Sequence, residues 1–177
     1  DTDALAADER ERLFARWAAR GRDRLNGRAA DRLAQWQQLK GPEEFVDLDC
    51  SDALLRSKHV HVLPDGTVLP GTCAGIVLGR AGEEPIAAMW RRLDADHRER
   101  PVIGRLASGG PARLLELAEP LGFQVADGYA SKCHLCWGVR RFLAAGGAGG
   151  RELGPAWLYE ADETVPAANA GGAENVQ

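Results

Sequence analysis

The apolar positions of the chain change period several times, and each change marks an element. From Leu5 to about Leu39 the residues are strong helix formers. Leu13, Phe14, Trp17, Leu25, Leu33, Trp36 and Leu39 recur there at three- and four-residue intervals. This spacing predicts one or two amphipathic helices whose apolar stripe is packing surface, with Gly21 or Gly27 as the break and Gly41-Pro42 as the end. Lys58 to Leu63 then alternates with the period of a half-buried strand. Pro64-Asp65-Gly66 is a turn signal, and Thr67-Val68-Leu69 returns as the second strand of a short β-hairpin.

After a loop from Pro70 to Gly82 the helical period resumes. Glu83 to Leu93 reads as a helix carrying Ile86, Met89, Trp90 and Leu93. Between Arg100 and Ser108 the pattern is weak. Pro111 to Ala118 reads as a further helix that stops ahead of Pro120, because a proline pushes its predecessor out of the helical region. Ser131 is placed to cap a last helix, Lys132 to Ala144, with Leu135, Val139 and Leu143 on its inner face and the glycines from Gly146 to Gly150 ending it. Beyond Tyr159 large apolar residues are scarce, which predicts a disordered tail.

These elements predict a mixed α+β fold: N-terminal helices, a short β-hairpin and C-terminal helices. The expected organisation is a helical segment over 1–44, a folded domain over 45–160 and a tail over 161–177. A length of 177 residues accommodates one domain with a core. Composition changes this picture little: 45% hydrophobic and 27% charged residues are ordinary for a globular chain, and a net charge of -4 leaves no basic footprint for nucleic acid. No apolar run approaches the ~20 residues that a membrane helix needs, and the first residues are acidic where a signal peptide is basic. The chain therefore reads as cytoplasmic. It opens on Asp1 as if in the middle of something longer, which suggests a fragment.

Four cysteines alter the reading. They are too few to form a disulfide framework that replaces a core, and their spacing is Cys50-x22-Cys73-x59-Cys133-x2-Cys136. Cys133 and Cys136 fall three positions apart in the first turn of the last predicted helix, so both sulfurs can face one side. The helix N-terminus, Lys132 and Arg140 favour the thiolate form that binds metal. Cys50 and Cys73 flank the hairpin and complete the four ligands of a closed zinc or cubane iron–sulfur site. Buried core thiols are the plainer alternative for Cys50 and Cys73. His59 and His61 stand at no ligand spacing with the cysteines and His97 lies in a run of charge, so all three read as solvated or core histidines, while His134 falls beside the site as an outer neighbour.

The succession of motifs resembles the C-terminal SPASM or twitch region of radical S-adenosylmethionine (SAM) enzymes, over roughly Asp47 to Leu143. The pieces are the hairpin Val60 to Pro70 leading to Cys73, then Gly75-Ile76-Val77-Leu78-Gly79-Arg80, a helix ending Ile86-Ala87-Ala88-Met89-Trp90, and Cys133-His134-Leu135-Cys136 with Arg140-Arg141. Six residues separate Gly66 from Cys73, where the family commonly has four.

The resemblance implies a single auxiliary [4Fe–4S] cluster held by Cys50, Cys73, Cys133 and Cys136. Electron relay or structural support is its expected role, since four ligands leave no iron open to substrate. The chain contains no Cys-x3-Cys-x2-Cys motif. The resemblance therefore places SAM binding and radical chemistry in a core domain outside this chain and implies a ferredoxin or flavodoxin electron donor. Two further readings stand beside it: a structural zinc module using the same four ligands, and a metal-free α/β interaction domain with buried cysteines.

Overall fold

The computed structural model describes residues 6–18 and 24–160. Six α-helices and a three-stranded antiparallel sheet form a mixed α+β fold among them. The helices are α1 (Ala7–Ala18), α2 (Arg28–Leu33), α3 (Ser51–Leu55), α4 (Ile86–Asp96), α5 (Ile103–Ala118) and α6 (Lys132–Ala145). The strands are β1 (Val60–Val62), β2 (Thr67–Pro70) and β3 (Gly79–Arg80), in the order β1-β2-β3. No helix among the described residues is long and apolar enough to cross a membrane.

The hairpin forms where the alternation predicts it, with Val60 opposite Pro70, His61 opposite Leu69 and Val62 opposite Val68. Its turn is closed by the Leu63 N–H on the Thr67 carbonyl at 2.8 Å and by the Thr67 N–H on the Asp65 carboxylate at 2.9 Å. Gly66 supplies the positive φ of 84° that the turn requires. Strand β2 is buried throughout. That burial follows from its central place, since β3, in a stretch read from sequence as loop, covers its second edge.

The N-terminal helical segment breaks at Gly27, whose φ is 58°, and α1 and α2 lie on either side of the break. Not all of its apolar stripe is packing surface: Leu13 and Leu39 are exposed. Gly21 and the expected tail over 161–177 lie outside the described residues.

Three differences from the sequence reading have local causes. Helix α4 starts at Ile86, after an extended Pro85, rather than at Glu83. Cys50 opens a short helix, α3, that no periodicity signals in five residues. The weak stretch from Arg100 to Ser108 belongs to a helix, because α5 runs through Ser108-Gly109-Gly110-Pro111 by kinking at Gly110 (φ 70°, ψ −159°). A Cβ on Gly110 would stand 2.0 Å from the Leu48 carbonyl oxygen, so glycine here permits the kinked helix to lie against the segment leading to Cys50.

The buried Glu152 caps the start of α5, accepting from the N–H groups of Val102 (3.1 Å) and Ile103 (2.7 Å). Helices α5 and α6 form the centre of the fold. Leu106 and Leu114 pack there with Leu135, Val139 and Leu143, the inner face predicted for the last helix. A second apolar cluster gathers Leu25, Ala30, Ala34 and Tyr159 around Trp137 on another face of α6, so this helix joins both cores.

Candidate metal centre

The cysteines reach one place from three directions. Ser131 caps α6 through its Oγ, which accepts the His134 N–H at 3.2 Å, and this sets Cys133 and Cys136 in the first turns of the helix. Cys50 is held by its N–H on the Leu106 carbonyl of α5 (2.8 Å), and Lys132 Nζ donates to the Asp49 carbonyl beside it (2.7 Å). Cys73 follows β2, with its N–H on the Pro70 carbonyl at 3.1 Å. Far upstream, Arg24 and Asn26 both grip its neighbour Thr72, on the hydroxyl at 2.8 Å and the carbonyl at 2.9 Å.

All four cysteines line a single cavity, walled by Leu54, Ile76 and Leu106 and bordered by Lys132 and Arg140. The space not filled by protein atoms is about 340 Å³, of which about 30 Å³ is open to the centre of a water molecule. No disulfide links the cysteines. Among the described residues no group of three or more His, Cys, Asp or Glu side chains is disposed to hold a metal ion.

The electrostatics correct one expectation. Burial, ahead of the neighbouring cysteines, pushes the Cys50 thiol up to about 12 against the pull of Lys132. Cys73 is pushed up to about 11, again chiefly by burial, with Arg140 opposing. Cys133, expected to favour thiolate at the helix N-terminus, is also raised. Desolvation there outweighs Arg24, Lys132 and Arg140. Any metal taken up must therefore displace protons.

Arg140 is the unusual residue of the site. It is 2% exposed and paired with no carboxylate among the described residues. Its Nε donates to Cys136 Sγ at 3.2 Å, and its Nη1 donates to the Ala74 carbonyl and to the Tyr159 hydroxyl at 3.1 Å. The guanidinium carbon stands 5.6 Å from the Trp137 ring centroid and 6.0 Å from that of Tyr159. Burial works against the charge, but Cys136, Tyr159 and Cys73 outweigh it and hold the guanidinium above its ordinary value.

Burying an unpaired ion costs several kcal/mol. Neutral hydrogen bonds contribute ~1 kcal/mol each and cation–π contacts about 0.5–2 kcal/mol, so negative charge on the sulfur side is the natural complement. By residue type alone the lining suits a thiolate-ligated group, with four cysteines, an apolar wall and a fixed cation that has no carboxylate partner among the described residues.

His134, expected beside the site, does not line the cavity. Its Nδ1 accepts the Ala130 N–H at 3.1 Å, and its ring meets Tyr129 edge-on at 5.6 Å. Burial holds it below the usual histidine range. His59 and His61 are exposed on and beside β1 and touch one another edge-on.

Sequence reasoning missed Arg24, Asn26 and Tyr159 as neighbours of the cavity. Their contacts span separations of 48, 46 and 84 residues, which no local pattern reveals. Set against known proteins, the chain matches no family model, no curated protein and no solved structure.

Proposed function

We propose that this chain is the auxiliary cluster-binding part of a radical SAM oxidoreductase, in which Cys50, Cys73, Cys133 and Cys136 hold one [4Fe–4S] cluster. One observation carries the reading. Four cysteines up to 86 positions apart line one cavity, and the buried cation that borders it has no carboxylate partner among the described residues.

Four cysteines that line a cavity, with no three ligand side chains among the described residues disposed around one ion, favour a cubane over a single ion. One zinc must collect every sulfur at ~2.3 Å around one point, whereas a cubane presents an iron at each of its corners and accepts ligands standing apart around a cavity. When bound, the cluster supplies one-electron redox chemistry and a rigid cross-link between the hairpin and α6. The protein's part is to anchor it from three elements and to surround it with apolar side chains and cations. With every iron ligated by cysteine, electron relay or structural support is favoured over substrate ligation.

SAM binding and radical formation belong to a core domain in the same longer protein, with a ferredoxin or flavodoxin as electron donor and a cytoplasmic setting that keeps the thiols reduced.

The test is anaerobic loading of the chain with iron and sulfide, with Cys136→Ala alongside. Close to four irons and four sulfides per chain with a broad visible absorption, both lost in the variant, is the expected result. A colourless protein holding one zinc would replace the reading with a structural zinc module. Absence of any bound metal would leave a metal-free interaction domain.

A further inference from the structure

Resting on the cluster reading, we infer that Arg140 is a positioning residue for redox chemistry: a built-in counter-charge that sets the reduction potential of the cysteine site. The inference comes from where its donors go. A buried arginine ordinarily finds a carboxylate. This one spends its Nε–H on Cys136 Sγ, and its Nη1 on the Ala74 carbonyl and the Tyr159 hydroxyl.

The guanidinium cannot easily turn away from the sulfur. Trp137 and Tyr159 stack on one another with centroids 4.9 Å apart, and the guanidinium lies near both rings. Tyr159 is fixed in turn, because its hydroxyl donates to the Gly75 carbonyl at 2.7 Å. A Cβ on Gly75 would stand 2.4 Å from that hydroxyl oxygen, so glycine is what lets the tyrosine reach this carbonyl. Cys136 thus receives its hydrogen bond from a group held against two fixed rings.

The charge argument follows. Four thiolates around a doubly positive cubane leave two net negative charges, and accepting one electron from a one-electron donor adds a third. Arg140 is always protonated. At hydrogen-bond distance in a site of low dielectric, it favours the form carrying the additional negative charge. Its N–H···S bond acts in the same direction, since hydrogen bonds to cluster sulfurs raise the potential. Lys132 and Arg24 add positive charge near Cys133, but both are bound to backbone or hydroxyl oxygens at more exposed positions. Their fields are therefore screened more strongly than that of Arg140.

The experiment is a potentiometric titration of the full chain carrying its cluster, followed by visible absorption and electron paramagnetic resonance, for the wild type, Arg140→Met and Arg140→Lys. Arg140→Met should shift the balance toward the oxidised form by about tenfold at a given poise, or ~59 mV more negative for a one-electron couple. Arg140→Lys keeps the charge, loses the Nε–H donor and should fall between. An Arg140→Met protein with full iron content and an unchanged potential overturns the inference and leaves the cluster reading standing. If Arg140→Met does not fold, Arg140→Gln decides, since it removes the charge and keeps side-chain N–H donors, and an unchanged potential in it overturns the inference equally. A wild-type chain that takes up no iron or sulfide overturns both.

Discussion

Two cavities border the same helices, α3 and α5, and Arg100 in one and Arg140 in the other meet opposite partners. The larger is an open cleft with about 620 Å³ open to the centre of a water molecule, against about 30 Å³ in the cysteine cavity, and its lining includes Ser51, Leu55, Arg100, Arg105 and Arg113. There Arg100 holds Asp96 with two hydrogen bonds, at 2.7 and 3.0 Å, and Arg113 pairs with Glu116 at 3.3 Å, while Arg105 donates to the Pro101 carbonyl at 2.9 Å. The smaller is the cysteine cavity, where Arg140, Lys132 and Arg24 bind sulfur, carbonyls and a hydroxyl and pair with no carboxylate among the described residues. An arginine paired with a carboxylate is locally neutral and needs nothing further. A buried arginine facing sulfur is a charge awaiting its complement, and the proposed cluster would supply it.

The comparison can be broken at the helix both cavities share. The largest effect is expected for Gly110→Ala, which forces a Cβ against the Leu48 carbonyl at a φ that favours glycine. It should cost about 3 kcal/mol in urea unfolding and reduce iron loading by displacing the approach to Cys50. Unchanged stability would show that the kink does not hold that approach.

Glu152→Gln comes next, at about 1 kcal/mol, because it replaces a carboxylate that accepts two helix N–H groups. Burial pushes the Glu152 carboxyl above its ordinary range, although those hydrogen bonds oppose the shift. A raised folded-state value means that the folded chain binds the proton more tightly. Its contribution to stability is full below the unfolded value and is lost as pH rises through the raised one. Unfolding measured across that window should show a decline in the wild type that is absent from Glu152→Gln.

The smallest effect is expected for Arg100→Ala. The pair with Asp96 is partly exposed and should be worth about 0.5 kcal/mol. Iron loading should stay at the wild-type level. A large loss of loading would mean that the two cavities are coupled through α5 and would sink the contrast drawn between them.

Much of the fold was legible in short segments. The hairpin announced itself through alternation and Pro64-Asp65-Gly66, and α6 through its Ser131 cap and the spacing of Leu135, Val139 and Leu143. The kinked α5 was legible only in part, because Gly109-Gly110-Pro111 is a strong local stop that packing against Leu48 overrides. Strand β3 was invisible for a different reason: two residues carry no period, and only pairing with β2 makes them a strand.

The sequence by itself determined the ligand candidates, the cap that sets two of them on one helix and the hairpin that precedes a third, since all of these depend on neighbours a few positions apart. Tertiary structure alone decided that the four cysteines share a cavity and that desolvation pushes three of their thiols above the ordinary range. It also decided that Arg140 faces Cys136 with no carboxylate among the described residues in reach of its donors. Burial and charge pairing are sums over residues that are distant in the chain, and no local pattern of residues encodes them.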